Sequence, residues 1–90
     1  METILLDGAQ MTTRGAAHAY LAARLGFPAW YGKNLDALYD LLTERGEPLR
    51  LQLRHREALE AALGGYGTAL LETIQDAAEK NPVLEVSFSG

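Results

Sequence analysis

Three short β-type runs, separated by stretches of helical periodicity, constrain this chain more than any other feature of it. Residues 2–6, ETILL, end at the turn dipeptide Asp7-Gly8. Residues 49–53, LRLQL, alternate Leu49, Leu51 and Leu53 with Arg50 and Gln52 at the period of a strand, and residues 83–89, VLEVSFS, are mostly apolar and β-rich. Strands joined through helices pair in parallel, by right-handed crossovers. The expected architecture is therefore α/β: a three-stranded parallel sheet with about four helices packed around it, in one domain spanning residues 1–90.

The helices announce themselves by caps and stripes. Thr12 or Thr13 caps a first helix in which Ala17, Tyr20, Leu21 and Leu25 recur on one side, and Gly26 with Pro28 stops it. Asn34 offers the cap of a second, whose Leu35, Leu38, Leu41 and Leu42 form an apolar stripe, and this helix is expected to end near Gly46. HREALEAAL, residues 55–63, reads as a short helix closed by Gly64-Gly65, and TALLETIQDAAEK, residues 68–80, as a longer one stopped by Asn81-Pro82. Gly64-Gly65-Tyr66-Gly67 is the loosest segment and reads as a turn. A phosphate loop would need Lys-Ser/Thr after its glycines, and none follows.

Composition excludes several classes of protein. Ninety residues, 48% hydrophobic and 22% charged, suit one globular core near the size at which burial only just outweighs chain entropy. The chain has no apolar run of about 18 residues and no signal-peptide pattern, so a soluble cytoplasmic protein without a membrane partner is expected. Its lack of cysteine rules out disulfides and thiol chemistry and fits a reducing compartment. Twelve acidic against eight basic side chains, a net charge of -4, disfavour attraction to nucleic-acid phosphates and favour a basic partner. The free protein is expected to be a monomer.

The distribution of the charge says more than its sum. At about 100° per residue the second helix places Asp36, Tyr39, Asp40, Thr43 and Glu44 on one arc, opposite the leucine stripe. Asp36, Asp40 and Glu44 are spaced i, i+4, i+8, where each like-charge pair destabilises a helix by roughly 0.2 to 0.5 kcal/mol. The macrodipole compensates Asp36 in the first turn; Asp40 has no such help. These carboxylates alone fit a solvated face as well as a binding face. Trp30 and Tyr31, in the loop between Pro28 and Gly32, weigh toward binding, because aromatic anchors among charges are the composition of an interaction hot spot. Tyr31 by itself fits the core as well as the surface.

Catalysis needs convergent acid, base or nucleophilic groups. His18, on the first helix, and His55, near a strand end, are far apart with no serine or cysteine motif around either, and both read as packing or surface residues. The three carboxylates of the arc are a weak Mg²⁺ signal, lacking substrate-phosphate partners. The chain is expected to be no enzyme, with no catalytic residue, metal or cofactor.

One stretch carries a specific resemblance. WYGKNLDALYDLLT, Trp30 to Thr43, resembles the YYGxNLDALWDxLT signature of the barstar family, small inhibitors of guanyl-specific, barnase-type extracellular ribonucleases, and the order of elements agrees along essentially the whole chain. The resemblance implies that the loop and second helix plug the active site of a small basic ribonuclease or related toxin, with acidic groups in the places of substrate phosphates. It assigns Trp30 to the loop aromatic and Asp36, Tyr39, Asp40 and Thr43 to the contacting helix face, Asp40 being central. Glu44 extends that face, and Asp76, on the longer helix, falls where the family carries a glutamate that also meets the enzyme. Glu72 and Glu79 share the arc of Asp76, opposite Leu70, Leu71, Ile74 and Ala77. The chain departs from the pattern: Tyr39 stands for a tryptophan, Trp30 for a tyrosine, Lys33 for an acidic residue, and Glu44-Arg45 for a glycine-aromatic pair. Arg45 would meet a basic enzyme with the wrong sign if it pointed that way. The same face would equally serve an interaction or immunity module whose basic partner is not a ribonuclease.

Overall fold

Leu49, Leu51 and Leu53 lie in the central strand of the sheet and are all buried. The computed structural model describes residues 1–89. In chain order it contains β1 (Glu2–Asp7), a 3₁₀ turn (Gly8–Gln10), α1 (Arg14–Leu25), α2 (Leu35–Thr43), β2 (Leu49–Arg54), α3 (Arg56–Leu63), α4 (Gly65–Lys80) and β3 (Leu84–Phe88). The strands pair in the order β1-β2-β3, both pairings parallel, so the expected α/β architecture with four helices is the one observed. No helix among the described residues is long and apolar enough to cross a membrane.

Register explains the alternation seen in the sequence. Ile4, Leu51 and Val86 share one row and Leu6, Leu53 and Phe88 another, and these rows point into the core. The rows between them, Thr3, Arg50 and Glu85, then Leu5, Gln52 and Ser87, are exposed or half-buried. The helices therefore cover one face of the sheet and leave the other bare. Parallel sheets are commonly covered on both faces and then read as unbroken apolar runs. Here the bare face keeps the polar half of each strand.

Local chemistry sets the helix ends. Thr13, rather than Thr12, caps α1, its Oγ1 accepting from the Ala16 amide at 3.0 Å, and Gly26 closes it in the left-handed conformation at φ 68°. Asn34 caps α2 through Oδ1, which accepts from the Ala37 amide at 2.8 Å. That helix stops at Thr43, with Glu44 as its C-cap, short of Gly46. Leu38 and Leu42 are fully buried and Leu35 and Leu41 half-buried, where α2 packs against α4. The Asn81 side chain, also buried, donates through Nδ2 to the carbonyls of Leu42 and Arg45, each at 2.9 Å, and so ties the end of α2 to the end of α4.

The reading of residues 64–67 as a turn is corrected. Only Gly64 forms the break, at φ 58° and ψ -133°, while Gly65, Tyr66 and Gly67 form the first turn of α4. The glycine at 67 serves packing: a Cβ there would lie 3.0 Å from the Leu59 carbonyl oxygen and 3.2 Å from the Leu63 Cβ. What the sequence presents as looseness is the close approach of α4 to α3.

The α2–α4 seam generates a prediction. Leu42→Ala should destabilise the protein by about 2 to 5 kcal/mol in denaturant unfolding, the usual cost of emptying a fully buried leucine site. A loss below about 1 kcal/mol, a surface value, would contradict the burial of this stripe.

Candidate partner-binding surface

Two adjacent aromatics in the loop between α1 and α2 have opposite fates. Trp30 is 76% exposed, whereas Tyr31 is only 6% exposed and belongs to the core. The Tyr31 hydroxyl lies 2.7 Å from His18 Nδ1, and His18 Nε2 lies 2.6 Å from the Tyr66 hydroxyl. Phe27 packs on Tyr31 with ring centroids 4.8 Å apart, and the Arg14 guanidinium sits 4.3 Å above the Tyr66 ring. A buried polar triad thus fixes the loop to both α1 and α4. His18 is a packing residue, and the alternatives left open for Tyr31 resolve to the core. Burial holds the His18 imidazole below its ordinary value and pushes the Tyr31 phenol up to about 12. Beyond Tyr31, Lys33 takes a left-handed turn at φ 55°, and the chain enters α2 at the Asn34 cap.

The outer face of α2 carries Asp36, Asp40 and Glu44, all exposed, with Tyr39 and Thr43 half-buried beside them. The Thr43 hydroxyl turns back, donating to the carbonyls of Tyr39 at 2.9 Å and Asp40 at 3.0 Å. Across the seam, Tyr39 joins Asp76, Glu79 and Lys80 of α4 around an open groove of about 540 Å³. Two residues distant in sequence, Tyr39 and Asp76, therefore border one depression. Glu72 borders a different groove, shared with Arg56 and Glu60 of α3.

None of these carboxylates has an internal cation. The ion pairs among the described residues are Arg45–Glu2, Arg50–Glu85, His55–Asp7 and Arg56–Glu60. Arg45 points away from the acidic arc, its Nη1 donating to the Leu25 carbonyl at 3.5 Å and its Nη2 lying 4.0 Å from Glu2. Its charge is spent under the end of α1. Among the described residues no three His, Cys, Asp or Glu side chains converge tightly enough to hold a metal ion. His18 is the packing residue that one of its two sequence readings gave, whereas the roles of Tyr66 and Asn81 as scaffold of this surface were missed from sequence; for Asn81 the only signal was a polar residue closing a helix, read as a stop.

Comparison with known proteins adds two findings. Residues 1–89 match the family model described as Barstar (barnase inhibitor). A protein of Bacillus subtilis (strain 168) named "Putative ribonuclease inhibitor YrdF" is 41% identical over 81 residues, which cover 89% of each chain.

The triad makes stability depend on pH. His18 has a lower pKa folded than unfolded, so below the unfolded value of about 6.5 the unfolded chain binds the proton more readily than the native protein. Its contribution is fully present above that value and is lost as pH falls through the depressed folded pKa. Denaturant unfolding from about pH 7.5 to about 5 should show stability falling on acidification, with a smaller slope in His18→Gln. Equal slopes in the two proteins would remove His18 as the cause.

Proposed function

The chain belongs to the barstar family, and we propose that it is an intracellular inhibitor that occludes the active site of a small basic ribonuclease of the guanyl-specific, barnase type. The observation that carries this reading is the row Asp36, Asp40 and Glu44, exposed and without internal cations, beside an indole held 76% exposed at Trp30. A ribonuclease holds its substrate phosphates with Arg, Lys and His. Carboxylates on a rigid helix meet such groups with charge-assisted, partly bidentate hydrogen bonds. The helix is already folded, so little ordering remains to oppose association.

In this reading Asp40 is the central carboxylate, with Asp36 and Glu44 one turn to either side. Trp30 supplies the apolar anchor next to the charge, and Tyr39 and Thr43 form the half-buried floor. Asp76 reaches the partner from α4 across the groove it shares with Tyr39. The protein has no catalytic role of its own, needs no cofactor and is monomeric until it meets its target. Clustered negative charge also steers a basic partner and raises the association rate.

Steering gives the first test. The association rate with the cognate ribonuclease should fall steeply as salt rises and the screening length shortens from about 10 Å at 0.1 M to about 3 Å at 1 M. A salt-independent rate would contradict an electrostatic encounter through this face.

Asp40→Ala separates binding from folding. The substitution relieves like-charge repulsion along α2 and introduces the best helix former, so thermal unfolding should be unchanged or slightly later. Inhibition should weaken by roughly 2 to 5 kcal/mol, mostly through faster dissociation, a range to which complexes of this family themselves contribute. A variant that inhibits as tightly as the parent would rule out this face. Tight capture of a basic protein without nuclease activity would keep the face and change the partner.

A further inference from the structure

At the β1 edge of the sheet, the carboxyl ends of β1 and β2 and side chains of α1 surround a further hollow of about 390 Å³, bordered by Leu5, Asp7, Tyr20, Arg24, Arg54 and His55. It continues past Leu5 and Arg54 into a neighbouring depression that ends at Ser87 and Ser89. The donors converging here are those of an anion site.

Arg24 is held in place from one side: its Nε and Nη2 donate to the Leu5 carbonyl at 3.3 and 3.0 Å, which leaves Nη1 free. Arg54 makes no ion pair or side-chain hydrogen bond among the described residues. The Tyr20 oxygen accepts from the Asp7 amide at 2.8 Å, so its own O–H remains available to donate. His55 takes a left-handed backbone at φ 57°, a conformation costly for most side chains but better tolerated by histidine. Its carbonyl presses on Gly8, where a Cβ would come within 2.4 Å. This crossing brings the ring to Asp7, with Nδ1 2.9 Å from Oδ1, and leaves Nε2 for another partner.

Asp7 is the one carboxylate bordering the hollow, and it is already engaged. Its Oδ1 accepts from the Ala9 amide at 2.9 Å as well as from His55, and the His55 bond, first among the causes, holds its carboxyl below the usual range. One carboxylate thus stands against two guanidinium groups, Arg24 and Arg54, which set the sign of the site. Forked guanidinium donors match the oxygens of a phosphate, and the exposed side chain of Leu5 gives an esterified group an apolar surface to rest on.

We propose that this hollow is a binding site for a phosphate monoester, held by Arg24, Arg54 and Tyr20, with the His55 ring forming part of its wall. The site lies at the β1 edge of the sheet, between the strand ends and α1, and it stands independently of the inhibitor reading. The test is an NMR titration of the isotope-labelled protein at constant ionic strength, in which chloride is exchanged for inorganic phosphate, a nucleoside monophosphate or the bare nucleoside. Both phosphates should give saturating shifts at the amides of Gly8, Arg54 and His55, and the nucleoside none. Arg54→Gln, at an exposed position that leaves the fold intact, should weaken the nucleotide about tenfold, the loss of one charge-assisted bond. Shifts that do not saturate, equal affinity in Arg54→Gln, an equal response to the nucleoside, or a response to inorganic phosphate alone would each overturn the proposal. Inhibition of the ribonuclease by Arg54→Gln should be unchanged, so failure of one reading does not carry over to the other.

Discussion

The two hydrogen bonds from the buried Asn81 amide to the carbonyls of Leu42 and Arg45 hold the end of the helix on which the acidic face is built. α2 has nine residues, below the roughly 12 to 15 at which an isolated helix becomes even marginal in water. Its carboxylates repel one another, and its last turn carries no basic residue to answer the dipole. Left alone it would unravel. Burial of Leu38 and Leu42 against α4 and the satisfaction by Asn81 of the Leu42 carbonyl in the last turn, with that of Arg45 just beyond it, offset those costs. The outer face is therefore free to be chosen for charge, because the inner face and the C-terminal end already secure the helix.

Much of the fold was legible because the sheet has a bare face. Had helices covered both sides, LRLQL would have been an unbroken apolar run and its strand period invisible. The caps at Thr13, Gly26 and Asn34 were legible for a similar reason, since each is a local hydrogen bond or backbone conformation that one residue type supplies. What escaped was long-range. Tyr66 appears in sequence as part of a glycine-rich turn, yet it is the second hydrogen-bond partner of His18, across the fold. Gly67 of the same segment looks flexible in sequence because its tight contact is with α3, not with its neighbours. The acid arc could be drawn from helical periodicity alone, but that Arg45 turns away from it depends on where Leu25 and Glu2 sit.

Net charge conceals a division of the surface. The sum of -4 covers an acidic side built from α2 and α4 and a bare sheet face bearing Arg50 and Arg54, with Arg24 at its edge. Glu85 neutralises Arg50 at 3.1 Å, but nothing comparable answers Asp40. A molecule divided in this way orients in the field of a basic partner and presents its acidic side before contact. The arrangement also limits self-association through the helical side, since two acidic faces repel.

The loop raises a sharper question of selection between neighbours, because hydrophobicity alone would bury Trp30, the larger ring, and leave Tyr31 outside. The polar triad reverses that order. Neutral His18 presents one donor and one acceptor nitrogen, and a hydroxyl on each side can take either role, so Tyr31 and Tyr66 satisfy both nitrogens in either tautomer. An indole offers only a donor and would serve one tautomer, leaving the buried histidine dependent on a single arrangement. An unsatisfied nitrogen in that position costs about 1 to 3 kcal/mol, enough to oppose much of the gain from burying a larger ring. The hydroxyl at position 31 thus fixes which aromatic enters the core. Trp30 stays outside as the consequence, held at the surface by the anchoring of its neighbour.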